Sequence, residues 1–203
     1  MFRLIKVTFR AIILVLAIMG FNAIGGQKYT EALVANINNF IQEHNLSTIQ
    51  KMGNFSNINE EFEIDKSVNL MGYKAVIAEH KASNQKMVIL DSGKKPLLTK
   101  EDIEGNGVEN KLQNLSEKFK YQGAKVQDIK VTSRGKIKVY SQNVPYAKFE
   151  AKVSRLPISD IGGMIASVKT SDGSEKLVLS VSEKKKYSQL IASEFYKEVK
   201  END

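Results

Sequence analysis

Residues 146–153 read YAKFEAKV, and their alternation decides the fold class. Ala147, Phe149, Ala151 and Val153 fall on one side of an extended chain and Lys148, Glu150 and Lys152 on the other, because successive side chains of a strand point to opposite faces. That is a strand with one face in a core and one in water, a pattern common in antiparallel sheets. The Lys-Glu-Lys row on the wet face also discourages edge-to-edge pairing.

Working outward, KVQDIKVT (125–132) and KIKVYSQ (136–142) read as strands meeting across Ser133-Arg134-Gly135. GMIASVKT (163–170) and KLVLSVS (176–182) are joined by Ser171-Asp172-Gly173-Ser174, a hairpin signal of the Asp-Gly type. Earlier, Phe62 and Ile64 alternate with acids, and GYKAVIAEHK (72–81) and KMVILD (86–91) flank a polar turn. Turns this short demand antiparallel pairing, since a parallel return needs a crossover of about a dozen residues or more.

Helical spacing appears three times. Leu33, Ile37, Phe40, Ile41 and His44 predict an amphipathic helix within residues 27–45; Val108, Leu112, Leu115 and Phe119 predict a second, stopped at Gly123; Tyr187, Leu190, Ile191, Phe195 and Val199 predict a terminal third. Residues 46–59, with Gly53 and several asparagines, read as a connector. The expectation is a single α+β domain over residues 27–203, an antiparallel β-meander sheet covered on one face by about three helices. In topology alone, and through no motif, that order is similar to cystatin-like and nuclear-transport-factor-like folds; no family is assigned on it.

Residues 1–26 have a different texture. Arg3, Lys6 and Arg10 precede AIILVLAI (11–18), and the stretch contains no acid. The strict apolar run is short for a spanning helix, which wants about 20 residues, and suits a signal peptide, whose apolar region runs roughly 7 to 15. Ala23 and Gly25 offer a cleavage site before Gly26, whereas an uncleaved helix from Val7 to Ile24 would reach across a bilayer with Arg10 snorkelling. Both alternatives stay open, and both place the body outside the cytoplasm, because flanking cations remain inside.

The chain carries a net charge of +7, but three of its 30 basic residues lie in that leader, leaving 27 against 23 acidic residues. An excess of four, interleaved with acids, argues against a nucleic-acid partner. With no cysteine there is no disulfide, thiolate metal site or cysteine nucleophile. The lysine- and asparagine-rich texture suggests a low-GC bacterium.

No constellation of chemistry emerges, so no catalytic, cofactor-binding or metal-ligating residue is assigned. His44 and His80 each follow a glutamate, Glu43 and Glu79, without metal-ligand spacing; His44 reads as a helix end and His80 as a strand-end surface residue. Ser92 lacks the GxSxG context of a nucleophile elbow. Ser133-Arg134-Gly135-Lys136 and Asp160-Ile161-Gly162-Gly163 lack a phosphate-loop pattern and read as a turn and a flexible strand entry. Lys94-Lys95 and Lys184-Lys185-Lys186 read as solvated surface, with anionic lipid or cell-wall polymer as the functional alternative. Sequons at Asn45, Asn54 and Asn114 match chance in so asparagine-rich a chain.

The expected function is a non-enzymatic exported or membrane-anchored envelope protein that binds or scaffolds a protein partner, touching the membrane through its N-terminal helix if that is retained. The alternatives are an extracytoplasmic hydrolase using carboxylates such as Glu79 or Asp91, and a carrier of a small apolar ligand in a groove lined by Phe149, Leu177, Leu179 and Phe195.

Overall fold

The computed structural model describes residues 41–42, 45–70, 73–93, 96–117, 126–153 and 160–202. The leader, His44, Lys94-Lys95, Gly123 and most of the first expected helix lie outside these residues. Among the described residues no helix is long and apolar enough to cross a membrane.

The strands are β1 (Ile41–Gln42), β2 (Phe62–Leu70), β3 (Tyr73–His80), β4 (Gln85–Asp91), β5 (Val126–Val139), β6 (Gln142–Val153), β7 (Asp160–Lys169) and β8 (Glu175–Glu183). The helices are α1 (Leu46–Met52), α2 (Lys100–Glu104), α3 (Val108–Glu117) and α4 (Gln189–Glu198). One sheet takes the order β1-β2-β3-β4-β8-β7-β6-β5, and every neighbouring pair is antiparallel. The α+β class and the antiparallel sheet are as the alternation predicts. The sheet is two meanders: β2 to β4 runs inward from beside the edge strand β1, β5 to β8 runs inward from the other edge, and β4 meets β8 at the join.

The helices cover both faces rather than one. Val88 and Leu90 pack with Leu98, Ile103 and Val108 on the α2–α3 face, while their neighbours Met87 and Ile89 pack with Met52 and Phe195 on the α1–α4 face. The cause is visible along the central strands, which are buried without alternation from Ile161 to Val168 and from Lys176 to Ser182. A strand covered on both sides reads as a continuous apolar run, whereas β6 alternates in burial only over residues 147–152.

Local structure differs from the sequence expectation at two glycine-containing segments. Ser133-Arg134-Gly135 is no turn: β5 runs through it for 14 residues. The chain reverses instead at Tyr140 and Ser141, whose φ angles of 48° and 63° are those a two-residue hairpin turn requires. Gly135 serves a different purpose, because the Tyr146 ring lies where its Cβ would stand. In the same way β7 includes Gly162 and Gly163, and the Phe149 ring fills the space over Gly163.

β5 also carries bulges between Gln127 and Lys130 and between Val131 and Ser133. The second reverses its facing, so that Val131 opposes Phe149 on the α2–α3 face while Ile137 opposes Val144 on the other. β6, with its Lys-Glu-Lys row, lies inside the sheet; β5 is the edge.

The expected connector contains α1, started by the Asn45 side chain accepting from the Thr48 amide and anchored by buried Met52. Ile41 pairs with Val68 as a strand residue, not a helical one. In α4, Ser188 caps the start and Ala192, Phe195 and Tyr196 are buried, whereas Leu190 is 81% exposed.

Candidate functional site

The most concentrated charge inside the fold is at Lys86 on β4. Its side chain is 4% exposed, and its ammonium donates to Asp65 at 2.9 Å and to Glu79. Glu79 stands directly across the β3–β4 ladder, and Asp65 arrives from the bulge in β2 between Ile64 and Lys66. Bulges re-aim side chains in this way. Two carboxylates share one ammonium, and the cluster reaches solvent through the partly exposed carboxylates.

Asp91, the other carboxylate singled out from sequence, does not join it. Lys74 and Asp91 pair at one end of the β3–β4 ladder and Glu79 and Lys86 near the other, five residues away, which is roughly 17 Å at strand rise. The two acids also project to opposite faces, and Asp91 Oδ1 accepts from the Gly93 amide in the turn that holds Ser92. The expected carboxylate pair is therefore not assembled from Glu79 and Asp91.

His80 is buried, not a surface residue. Phe62 packs on its ring with centroids 5.3 Å apart, Nδ1 is 2.8 Å from Ser83 Oγ, and Nε2 lies 3.7 Å from the Glu61 carboxylate. Among the described residues no group of three or more histidines, cysteines or acids is placed to hold a metal. Nor do the proposed groove residues share a lining: Phe149, Leu177 and Leu179 belong to the α2–α3 face and Phe195 to the α1–α4 face.

A second polar cluster sits at the far end of the α1–α4 face. The Tyr140 hydroxyl donates to the Met52 carbonyl, and the Lys176 ammonium lies 5.1 Å from the Tyr140 ring centroid while donating to the Lys51 carbonyl at 3.1 Å. Burial pushes the Tyr140 phenol far up, with Glu201, Asp91 and Asp172 adding to the shift, and burial lowers Lys176. Glu201 accepts from the Ser171 amide and hydroxyl, Asn202 donates to the Gln50 carbonyl, and Asn54 pairs with Lys200. The C-terminal segment is thereby stitched to α1 and the β7–β8 turn.

The Lys184-Lys185-Lys186 run is exposed, as its reading as solvated surface expects. Lys184 pairs with Glu150 at 2.7 Å and Lys186 with Glu183 at 3.1 Å, so that run is largely neutralised. Exposed cations also gather on β5, at Lys130, Arg134, Lys136 and Lys138. Strand alternation hid them, since cations at every second position read as the wet side of an ordinary strand.

Comparison with known families and with curated proteins finds no match to this chain.

Proposed function

We propose that this chain is a non-enzymatic bacterial envelope protein, exported or membrane-anchored through residues 1–26, whose α+β body acts as a binding or scaffolding module. The observation that carries the reading is the leader itself, with three cations, no acid and a uniform apolar run. Support comes from several interior polar groups that engage one another: Lys86 with Asp65 and Glu79, Gln85 with Ser180 and Ser188, and Tyr196 with Val88 and Leu179. Groups so engaged stabilise the fold.

The test is expression of the full chain in a bacterial host, followed by protease treatment of spheroplasts and intact-mass measurement of membrane and soluble fractions. The expected result is a body digested from outside, with either the full mass or the mass left by cleavage after Gly25. A body protected from protease and recovered in the cytoplasm would overturn the reading.

A further inference from the structure

We propose that the second half of β5, residues 133–139, is a docking edge for an extended acidic segment of a protein partner, which adds a strand to the sheet by main-chain pairing. The inference deepens the binding-module half of the proposed function and does not depend on export.

The two halves of this edge are built differently. Bulges interrupt the first half on either side of Lys130, and the Val131 amide donates to Glu109 Oε1 of α3 at 2.6 Å. These are devices that close an edge to pairing. From Ser133↔Lys148 to Val139↔Gln142 the register then runs without interruption. Among the described residues, the backbone of residues 133–139 makes no hydrogen bond outside the strand ladder. As an edge strand it turns alternate N–H and C=O groups outward. Tyr146 over Gly135, itself held by Gln189 at 2.6 Å, keeps the template in place.

Charge selects the occupant. Arg134, Lys136 and Lys138 are exposed on one face at every second residue, about 6.8 Å apart. Their cross-strand neighbours are Ala147, Pro145 and Asn143, none of them acidic. Among the described residues neither Lys136 nor Lys138 has an ion-pair partner, while Arg134 donates to the Ile103 carbonyl. A second copy of β5 would set cations against cations, which is destabilising across a strand pair. A strand with acids at alternate positions meets both the backbone and the charges.

The probe is a labelled decapeptide of alternating glutamate and threonine, with its lysine-threonine counterpart as control, added to the full-length chain in zwitterionic micelles. Fluorescence anisotropy should report binding of the acidic peptide alone, and amide hydrogen exchange should slow within residues 133–139. The double variant Lys136→Glu/Lys138→Glu should weaken binding about tenfold or more, Lys136→Gln/Lys138→Gln should weaken it less, and Lys185→Glu should leave it unchanged. Denaturation midpoints confirm that the variants fold.

Binding that leaves exchange in residues 133–139 unaltered, or that survives both double variants, would overturn the proposal. So would protection produced by phosphatidylglycerol-doped micelles and not by the peptide, which assigns the face to lipid. Failure here with successful export refutes this edge and leaves the envelope reading standing.

Discussion

The Phe149 ring occupies the place a side chain on Gly163 would take: a Cβ there would come within 2.5 Å of the ring and 2.7 Å of the Ser180 carbonyl oxygen. Gly163 and Phe149 are directly paired across β6 and β7, so the glycine leaves room for the aromatic ring over its own backbone. Gly163→Ala should destabilise the fold by about 1–3 kcal/mol, the usual cost of overpacking a core, read as a lower urea midpoint. Adding Phe149→Leu should recover part of the loss, because the smaller side chain vacates the contested space.

Lys86 offers a test of a buried ion cluster. Lys86→Ala leaves Asp65 and Glu79 facing each other without a cation and should cost about 3–5 kcal/mol. The triple change Lys86→Met, Asp65→Asn, Glu79→Gln removes the charges together and should restore most of that stability in the same denaturation experiment.

The β7–β8 turn supplies a pH dependence. Asp172 is lowered to about 2 from an ordinary 3.8, first by the Ser174 amide and then by the Thr170 and Ser174 hydroxyls. A depressed carboxylate contributes stability above its unfolded value and loses it as pH falls. The wild-type advantage over Asp172→Asn should therefore be constant above about pH 5 and shrink between 3.8 and about 2. Thermal midpoints of both proteins across that window measure it.

At the hairpin between β5 and β6, two effects oppose each other. Ser141 is exposed with a φ of 63°, and Ser141→Gly should stabilise by about 0.5–1 kcal/mol by removing left-handed strain. Tyr140 shares that strain but is buried with its hydroxyl on the Met52 carbonyl. Tyr140→Phe should cost about 1–3 kcal/mol by leaving a buried carbonyl without its donor. Urea titration of both variants gives the signs.

That hairpin also shows where sequence reading stops. Gly135 looks like the turn and Tyr140-Ser141 does not, because turn chemistry favours glycine at positive φ. The choice is made by Tyr146, which lies over Gly135, and by the buried anchorage of Tyr140. Among candidate site residues, Glu79 is visible as an acid on a strand, but its partners Lys86 and Asp65 come from two other strands and a bulge. Nothing local marks them as a group.

By itself the sequence determined the α+β class, the antiparallel pairing enforced by short turns, and the terminal helix. These follow from side-chain periodicity and from loop lengths, which act between neighbours in the chain. Only the tertiary structure decided that the helices divide between two faces, that β4 meets β8, and that β5 rather than β6 is the edge. Those outcomes depend on which apolar surfaces meet across long stretches of chain, and on how a glycine and an aromatic ring on separate strands share one volume.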